Sequence, residues 1–267
     1  LSERAVSLLY DALHAFEAPF RKGAAYPVHK RLHFRESEIS DIYDWICAHV
    51  ELPHGGNVLD AGCGVGFGAI RLAQRSTCRI SGISLSEKEV ARASSAAQQA
   101  SVADRVAFRR SSYDSVPRAS YDLIVAVESL KHSPDLRQSL HALRQSLRIG
   151  GQLVIVEDLY TGAGTHVAAR KVVADWSLRR LYTESDYLAW LGADDCLIFD
   201  LTDCAPTASP TALGVWLGVL ALVTPFATRK LTPALHAFRG GLNLQRLYVD
   251  GAMKYKAIVW RRSKADL

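Results

Sequence analysis

Val58-Leu59-Asp60-Ala61-Gly62-Cys63-Gly64-Val65-Gly66 decides the reading of this chain. An apolar run, an acid and three alternate glycines lead into a helical pattern over residues 68–75, so a strand turns sharply into a helix. Glycine permits that turn and lets a ligand approach the backbone without a Cβ in the way. In open α/β sheets ligands bind beyond the carboxyl ends of the strands, which puts this turn in the binding crevice. A dinucleotide fingerprint needs a third glycine where Phe67 stands. Asp60 at the strand end repels a pyrophosphate and suits a cationic amino-acid ligand.

Working outward, strand and helix signals alternate. Residues 79–83 read as a second strand. Residues 86–100 read as a helix with Ser86 as N-cap and Glu89 completing a capping box. Residues 105–108 form a third strand. Residues 121–127 form a fourth, whose unbroken apolar run suits a central parallel strand. Residues 134–147 read as a helix stopped by Gly150-Gly151, and 152–157 as a fifth strand. Such alternation predicts βαβ units in a doubly wound α/β sheet. Upstream, the first fifty residues read as two helices, the second over 36–50. Downstream, residues 161–192 break the rhythm with helical segments and aromatics, as a cap would. Residues 196–201 and 252–260 are late strands with helix between them.

Composition sets bounds on function. The chain has 267 residues, 49% of them apolar, with a net charge of +5. Its Lys and Arg are scattered, so no nucleic-acid site is expected. Five dispersed cysteines without a CxxC pair argue against a disulfide framework or a structural zinc site, and fit a reducing, cytoplasmic setting. Residues 1–20 lack a signal-peptide layout. Residues 211–224 carry no charge but are too few to span a bilayer, which needs roughly 17–25. A buried helix is expected there; a dimer-forming or membrane-contacting helix is the sharper alternative.

The turn resembles the first motif of class I S-adenosylmethionine (SAM) dependent methyltransferases, a hydrophobic strand followed by D-x-G-x-G-x-G, and the resemblance continues to about residue 158. It implies a mainly parallel seven-stranded, Rossmann-like methyltransferase domain over 1–267. Within it, 1–50 would form a helical lid, 51–158 the SAM-binding core, 159–195 a helical cap, and 196–267 the last strands and helix. It also implies SAM as cofactor, S-adenosylhomocysteine (SAH) as product and no metal. Asp60 would hold the SAM amino-acid end, with Gly62, Cys63, Gly64 and Gly66 as the floor. At the end of the second strand Ser84 replaces the acid that usually pairs with the ribose; Ser84 and Leu85 would face the ribose and adenine. Ser112 and Tyr113 match the usual adenine contacts.

After the fourth strand, Glu128-Ser129-Leu130-Lys131-His132-Ser133-Pro134-Asp135 lacks the N/D-P-P-Y/F of nucleic-acid and protein-amide enzymes. Its E-x-x-x-H-x-P-D pattern resembles sterol and tocopherol C-methyltransferases, and equally sugar and natural-product O-methyltransferases. Glu128 and His132 are the candidate catalytic pair. A carboxylate can stabilise the carbocation of a methylated alkene, and an imidazole can take a hydroxyl proton. His33, Glu157, Tyr160, Trp176 and Tyr182 are candidate acceptor contacts, and His29 and His166 are further imidazoles that could line the pocket. The function expected is methyl transfer to a small, hydrophobic terpenoid, lipid-like or natural-product acceptor, at carbon or oxygen. N-methylation of a small amine and a non-catalytic SAM-binding module are the alternatives. A homo-oligomer is compatible with the sequence.

Overall fold

In the computed structural model, which describes residues 26, 29–36, 38–162, 166–226 and 232–263, helices and strands alternate from residue 42 onward. Helix α1 (Ile42–His49) precedes β1 (Asn57–Ala61), α2 (Phe67–Arg75), β2 (Arg79–Ser84), α3 (Glu87–Gln99), β3 (Val106–Arg110), β4 (Tyr121–Val127), α4 (Leu136–Ser146) and β5 (Leu147–Tyr160). Then come α5 (Val167–Asp175), α6 (Glu184–Leu191), β6 (Cys196–Asp200), α7 (Pro210–Val223), α8 (Thr232–Val249) and β7 (Met253–Arg261). The seven strands form one sheet in the order β3-β2-β1-β4-β5-β7-β6. Neighbours among β1 to β5 are parallel, and β7 runs antiparallel to β5 and β6. This is the mainly parallel α/β architecture that the sequence predicts. The order reverses between β1 and β4, which opens a crevice beyond their carboxyl ends.

Side-chain alternation builds two apolar layers. Val58, Leu123, Val125, Val154 and Val156 point to one face, where they meet Ile42, Ile46, Leu72 and Leu247. Leu59, Ile124, Ala126 and Ile155 point to the other, against Leu136, Leu140 and Leu143 of α4 and Tyr187 and Leu191 of α6. Both faces of β4 are covered, which is why its sequence is an unbroken apolar run.

Several boundaries differ from the sequence expectations. Helix α1 starts at Ile42 rather than at 36, because the Asp41 carboxylate accepts from the Tyr43 and Asp44 amides and fixes the N-cap. Strand β3 begins one residue later and runs to Arg110; the Ser111 amide, just beyond it, still donates to Ser84 O. Gly150-Gly151 does not stop α4. The helix ends at Ser146, β5 starts at Leu147, and Gly150 (φ +82°) lies inside β5 at a register shift opposite Tyr121 and Leu123.

The apolar segment 211–224 is a helix, as expected, but it is not buried. In α7 Leu213 and Leu220 face inward, whereas Val215, Trp216, Val219 and Leu222 are exposed. A helix apolar all round reads as buried by composition alone, yet this one touches the body along one narrow side. Among the described residues no helix is long and apolar enough to cross a membrane. The helical pattern over residues 1–20 lies outside the described residues.

Candidate active site

The crevice at the ends of β1, β2 and β4 is a cleft enclosing about 1140 Å³, its mouth included. Its floor is the turn from β1 into α2. Gly62, Gly64 and Gly66 all have positive φ, at 90°, 51° and 87°. Two of them are required by packing. A Cβ on Gly62 would lie 2.4 Å from Ser129 Cβ, and one on Gly66 would lie 2.8 Å from Ala93 Cβ and Phe108 Cζ. Gly64 differs: nothing approaches its Cβ position closer than Glu89 Oε1 at 3.9 Å, so its open side is the cleft. The Gly62 and Cys63 amides both donate to Ile83 O, which ties the turn to β2.

Beneath the turn, Asp60 is fully buried and neither carboxylate oxygen has a hydrogen-bond partner. Burial pushes this carboxyl up to about 7; the Ala69 amide pulls the other way without completing a well-formed hydrogen bond. Buried polar atoms are normally satisfied, so an orphaned carboxylate under an open glycine turn fits a cationic ligand above it.

At the end of β2, Ser84 Oγ donates to the Glu89 carboxylate and accepts from the Ser86 amide at 3.0 Å. Glu89 is nearly buried and lines the cleft. The capping-box reading assigned Glu89 to the helix end. Ser86 does cap α3, accepting from the Glu89 amide, but the Glu89 side chain brings a carboxylate to the position where Ser84 lacks one. Tyr113 closes this side: its hydroxyl donates to Ser129 O at 3.1 Å.

The opposite end is built on charge. Glu128 follows β4 with φ +49°, a left-handed backbone that is costly for a non-glycine residue and common at functional sites. Its Oε1 accepts from the Lys30 amide (2.8 Å) and the Tyr255 hydroxyl (3.0 Å), and Lys131 Nζ lies 3.6 Å from Oε2. Burial opposes its ionisation, but Lys30 and Lys131 together hold its carboxyl below the usual range. Asp158 accepts from both lysines at 2.9 Å and from the Tyr248 hydroxyl. Its carboxyl is also held low despite burial, chiefly by Lys131 and then Lys30. Glu157 receives less: the Lys131 amide reaches Oε1 at 3.3 Å, Oε2 has no hydrogen bond, and burial pushes the carboxyl up to about 7. Burial and the neighbouring Lys131 push His132 down to about 3, against the pull of Asp158, so the ring stays neutral.

Of the residues singled out from the sequence, Gly62, Cys63, Gly64, Ser84, Leu85, Ser112, Tyr113, Glu128 and His132 line this one cleft. Asp60 lies under its floor, and Gly66 packs against Ala93. The proposed acceptor contacts are elsewhere. His33 is exposed, and its amide donates to Cys204 O. Glu157 is sealed in the ion cluster. Trp176 packs under Lys131, with its indole N–H on Ala237 O. Tyr160 pairs through its amide with Tyr182 O, and Tyr182 packs against Tyr187 and Trp190. Tyr182 and Tyr187 are buried core, and Tyr160, Trp176 and Trp190 pack against the core partly buried. Tyr26, Tyr43, Phe67 and Glu89 line the cleft without having been placed in it, and so does His29, which the sequence offers as a pocket-lining imidazole beside His33. The signal for His29 was weak: one of several imidazoles in an irregular stretch.

The sheet order and the glycine-floored cleft at its switch point give the chain a Rossmann-like methyltransferase fold. Residues 58–151 match a family described as a methyltransferase domain, and this chain carries that domain. Over 144 residues it is 37% identical to the 27-O-demethylrifamycin SV methyltransferase of Amycolatopsis mediterranei (strain S699), covering 51% of this chain and 52% of that protein. Over 119 residues it is 28% identical to a sterol 24-C-methyltransferase of Gibberella zeae, covering 44% and 31%. The matched stretch thus spans about half or less of those relatives. Among solved structures, the [4+2]-cyclase SpnF superposes with a TM-score of 0.76 at 20% identity, over 98% of this chain and 97% of that one. A cyclase on this scaffold means that the fold alone does not fix the reaction.

Proposed function

We propose that the protein transfers the methyl group of SAM to a hydroxyl oxygen of a small, largely apolar and uncharged natural-product-like molecule. One observation carries this reading. Among the described residues lining the cleft, the formally charged side chains are Glu89, Asp114 and Glu128, all acidic. Such a lining favours a cationic sulfonium cofactor, and among the described residues it offers no Lys or Arg to a phosphorylated or carboxylated acceptor. Lys30 and Lys131 lie close by, but both are engaged by Asp158.

The residues fit the cofactor. The open side of Gly64 admits its methionine end over the orphaned Asp60 carboxylate. Glu89 and Ser84 suit the ribose hydroxyls, and Leu85, Ser112 and Tyr113 the adenine. Bound SAM supplies an electrophilic methyl group on sulfur. Glu128, kept ionised by its two lysines, places a negative charge at the acceptor end, and the apolar lining excludes water from it.

A carbon acceptor is the second reading, favoured by that same ionised Glu128, since a carboxylate stabilises a carbocation. Both readings are tested by incubating the protein with methyl-labelled SAM and pools of hydroxylated macrocycles, phenols, sterols and prenyl diphosphates. The expected result is label on oxygen in an uncharged acceptor, with one SAH formed per product. Label on carbon supports the second reading. Exclusive methylation of a diphosphate overturns the charge argument, and a rearranged product without SAH overturns methyl transfer.

A further inference from the structure

We propose that His29, and not His132, is the general base that takes the proton of the acceptor hydroxyl. This rests on the oxygen reading above.

The argument begins with a tautomer. His29 Nδ1 lies 3.0 Å from Lys30 O. A carbonyl oxygen can only accept, so Nδ1 carries the hydrogen, and in the neutral ring Nε2 presents a lone pair. That Nε2 is buried and has no hydrogen-bond partner, while the ring lines the cleft. A buried acceptor without a donor points to a partner that arrives with the ligand, and a hydroxyl group is such a donor.

The ring is held at the junction of the two ends of the cleft. It packs edge-on against Tyr43, with centroids 5.5 Å apart, and against Phe67 at 5.7 Å. Tyr43 is itself seated on Gly68, where any Cβ would collide with its ring at 2.0 Å, and Phe67 opens α2 directly after the glycine turn. On the other side, the amide of the next residue, Lys30, is bonded to Glu128 Oε1. His29 therefore stands between the cofactor floor and the ionised carboxylate, with a ring plane that packing fixes. A base held in position in this way needs little reorganisation at the moment of transfer.

His132 is the poorer choice. Its own burial and Lys131 beside it disfavour an added proton. The transfer balances with His29 as base. An acceptor oxygen lone pair forms the bond to the methyl carbon, and the carbon–sulfur pair leaves with sulfur to give SAH. The hydroxyl proton moves to Nε2. The positive charge lost by the sulfonium reappears on the imidazolium, next to the Glu128 carboxylate, and leaves as a proton to solvent once product departs.

Two measurements test this. In protein labelled with ¹⁵N-histidine and saturated with SAH, long-range proton–nitrogen NMR should show His29 as the Nδ1–H tautomer. An Nε2–H tautomer overturns the proposal. In the labelled-SAM assay, with the hydroxylated acceptor that turns over, His29→Gln should lower kcat roughly 100-fold or more and change SAH affinity less than about threefold. His132→Asn should cost less than His29→Gln. Near-normal kcat in His29→Gln overturns the assignment of the base while leaving O-methylation intact. Failure of every hydroxylated acceptor, with carbon label elsewhere, overturns the oxygen reading and this inference with it.

Discussion

The two ends of the cleft are built in opposite ways. The donor end is made by near neighbours in sequence: the turn at residues 62–66, Ser84 with Glu89, and Ser112 with Tyr113. Its structure depends on backbone shape, with glycines at positive φ and amides tied to Ile83 O. The acceptor end is made by ion pairs and hydrogen bonds between residues 98, 128 and 127 positions apart, which join Lys30 to Glu128, Lys30 to Asp158, and Glu128 to Tyr255. Backbone shape makes a site that many ligands of one kind can share. A buried charge cluster is costly to form, and it holds a particular geometry only while every partner is present. Damage at the two ends should therefore appear in different measurements.

Lys131→Met is expected to have the largest effect on folding. It removes a cation whose Nζ lies 2.9 Å from Asp158 and 3.6 Å from both Glu157 and Glu128. Breaking a buried pair by deleting one partner typically costs about 3–5 kcal/mol. Urea denaturation at neutral pH should show that loss, with SAH affinity, measured on the folded fraction, changed less than about tenfold. A loss under 1 kcal/mol would mean that the cluster is well hydrated.

Gly64→Val should do the reverse. Its Cβ meets no protein atom closer than 3.9 Å, so stability should fall only by the strain of a left-handed backbone, about 1–3 kcal/mol. The new methyl groups project into the cleft, and calorimetry should show SAH binding weakened at least ~100-fold, about 2.7 kcal/mol. Retained affinity would break the assignment of the donor end to this turn.

The same contrast explains what the sequence made legible. The strands β1, β2 and β4 and the turn between β1 and α2 could be read from contiguous residues, because apolar runs and glycine spacing are local consequences of burial and backbone conformation. Glu89 was visible but misplaced: capping and cleft-lining put the same residue at the same helix turn, and only the Ser84 contact tells them apart. Trp176 and Tyr182 stand as candidate acceptor contacts on the sequence because aromatic composition does not say whether a residue beside a helix end packs on the core or faces the cleft. The partnership of Lys30 with Glu128 and Asp158 left no sequence signal, since its members meet only when the sheet closes. α7 misled for a related reason: composition reports how apolar a helix is, not whether the rest of the chain covers it.

The smallest expected effect separates two buried acids, one at each end. Burial pushes both Asp60 and Glu157 up to about 7 in the folded chain. Unfolded, such carboxyls titrate near 4. Between those values the folded protein binds protons that the unfolded chain has already released, so stability falls as pH rises and levels off above the folded pKa. For one group with a folded pKa near 7, the loss between pH 6 and pH 8 is about 1.4 kcal/mol. The ligand-free protein should therefore lose about 3 kcal/mol over that interval from the two acids together. Asp60→Asn keeps the shape, removes one titration and should halve the slope, leaving the part due to Glu157. Urea denaturation at pH 6 and pH 8 measures both. If Asp60 also meets the ammonium of the bound cofactor, SAH should bind more tightly as pH rises through 7, because the ligand favours the ionised carboxylate, and Asp60→Asn should lose that dependence. An unchanged slope in Asp60→Asn would mean that Asp60 does not titrate over this interval and that the pH response arises at the acceptor end.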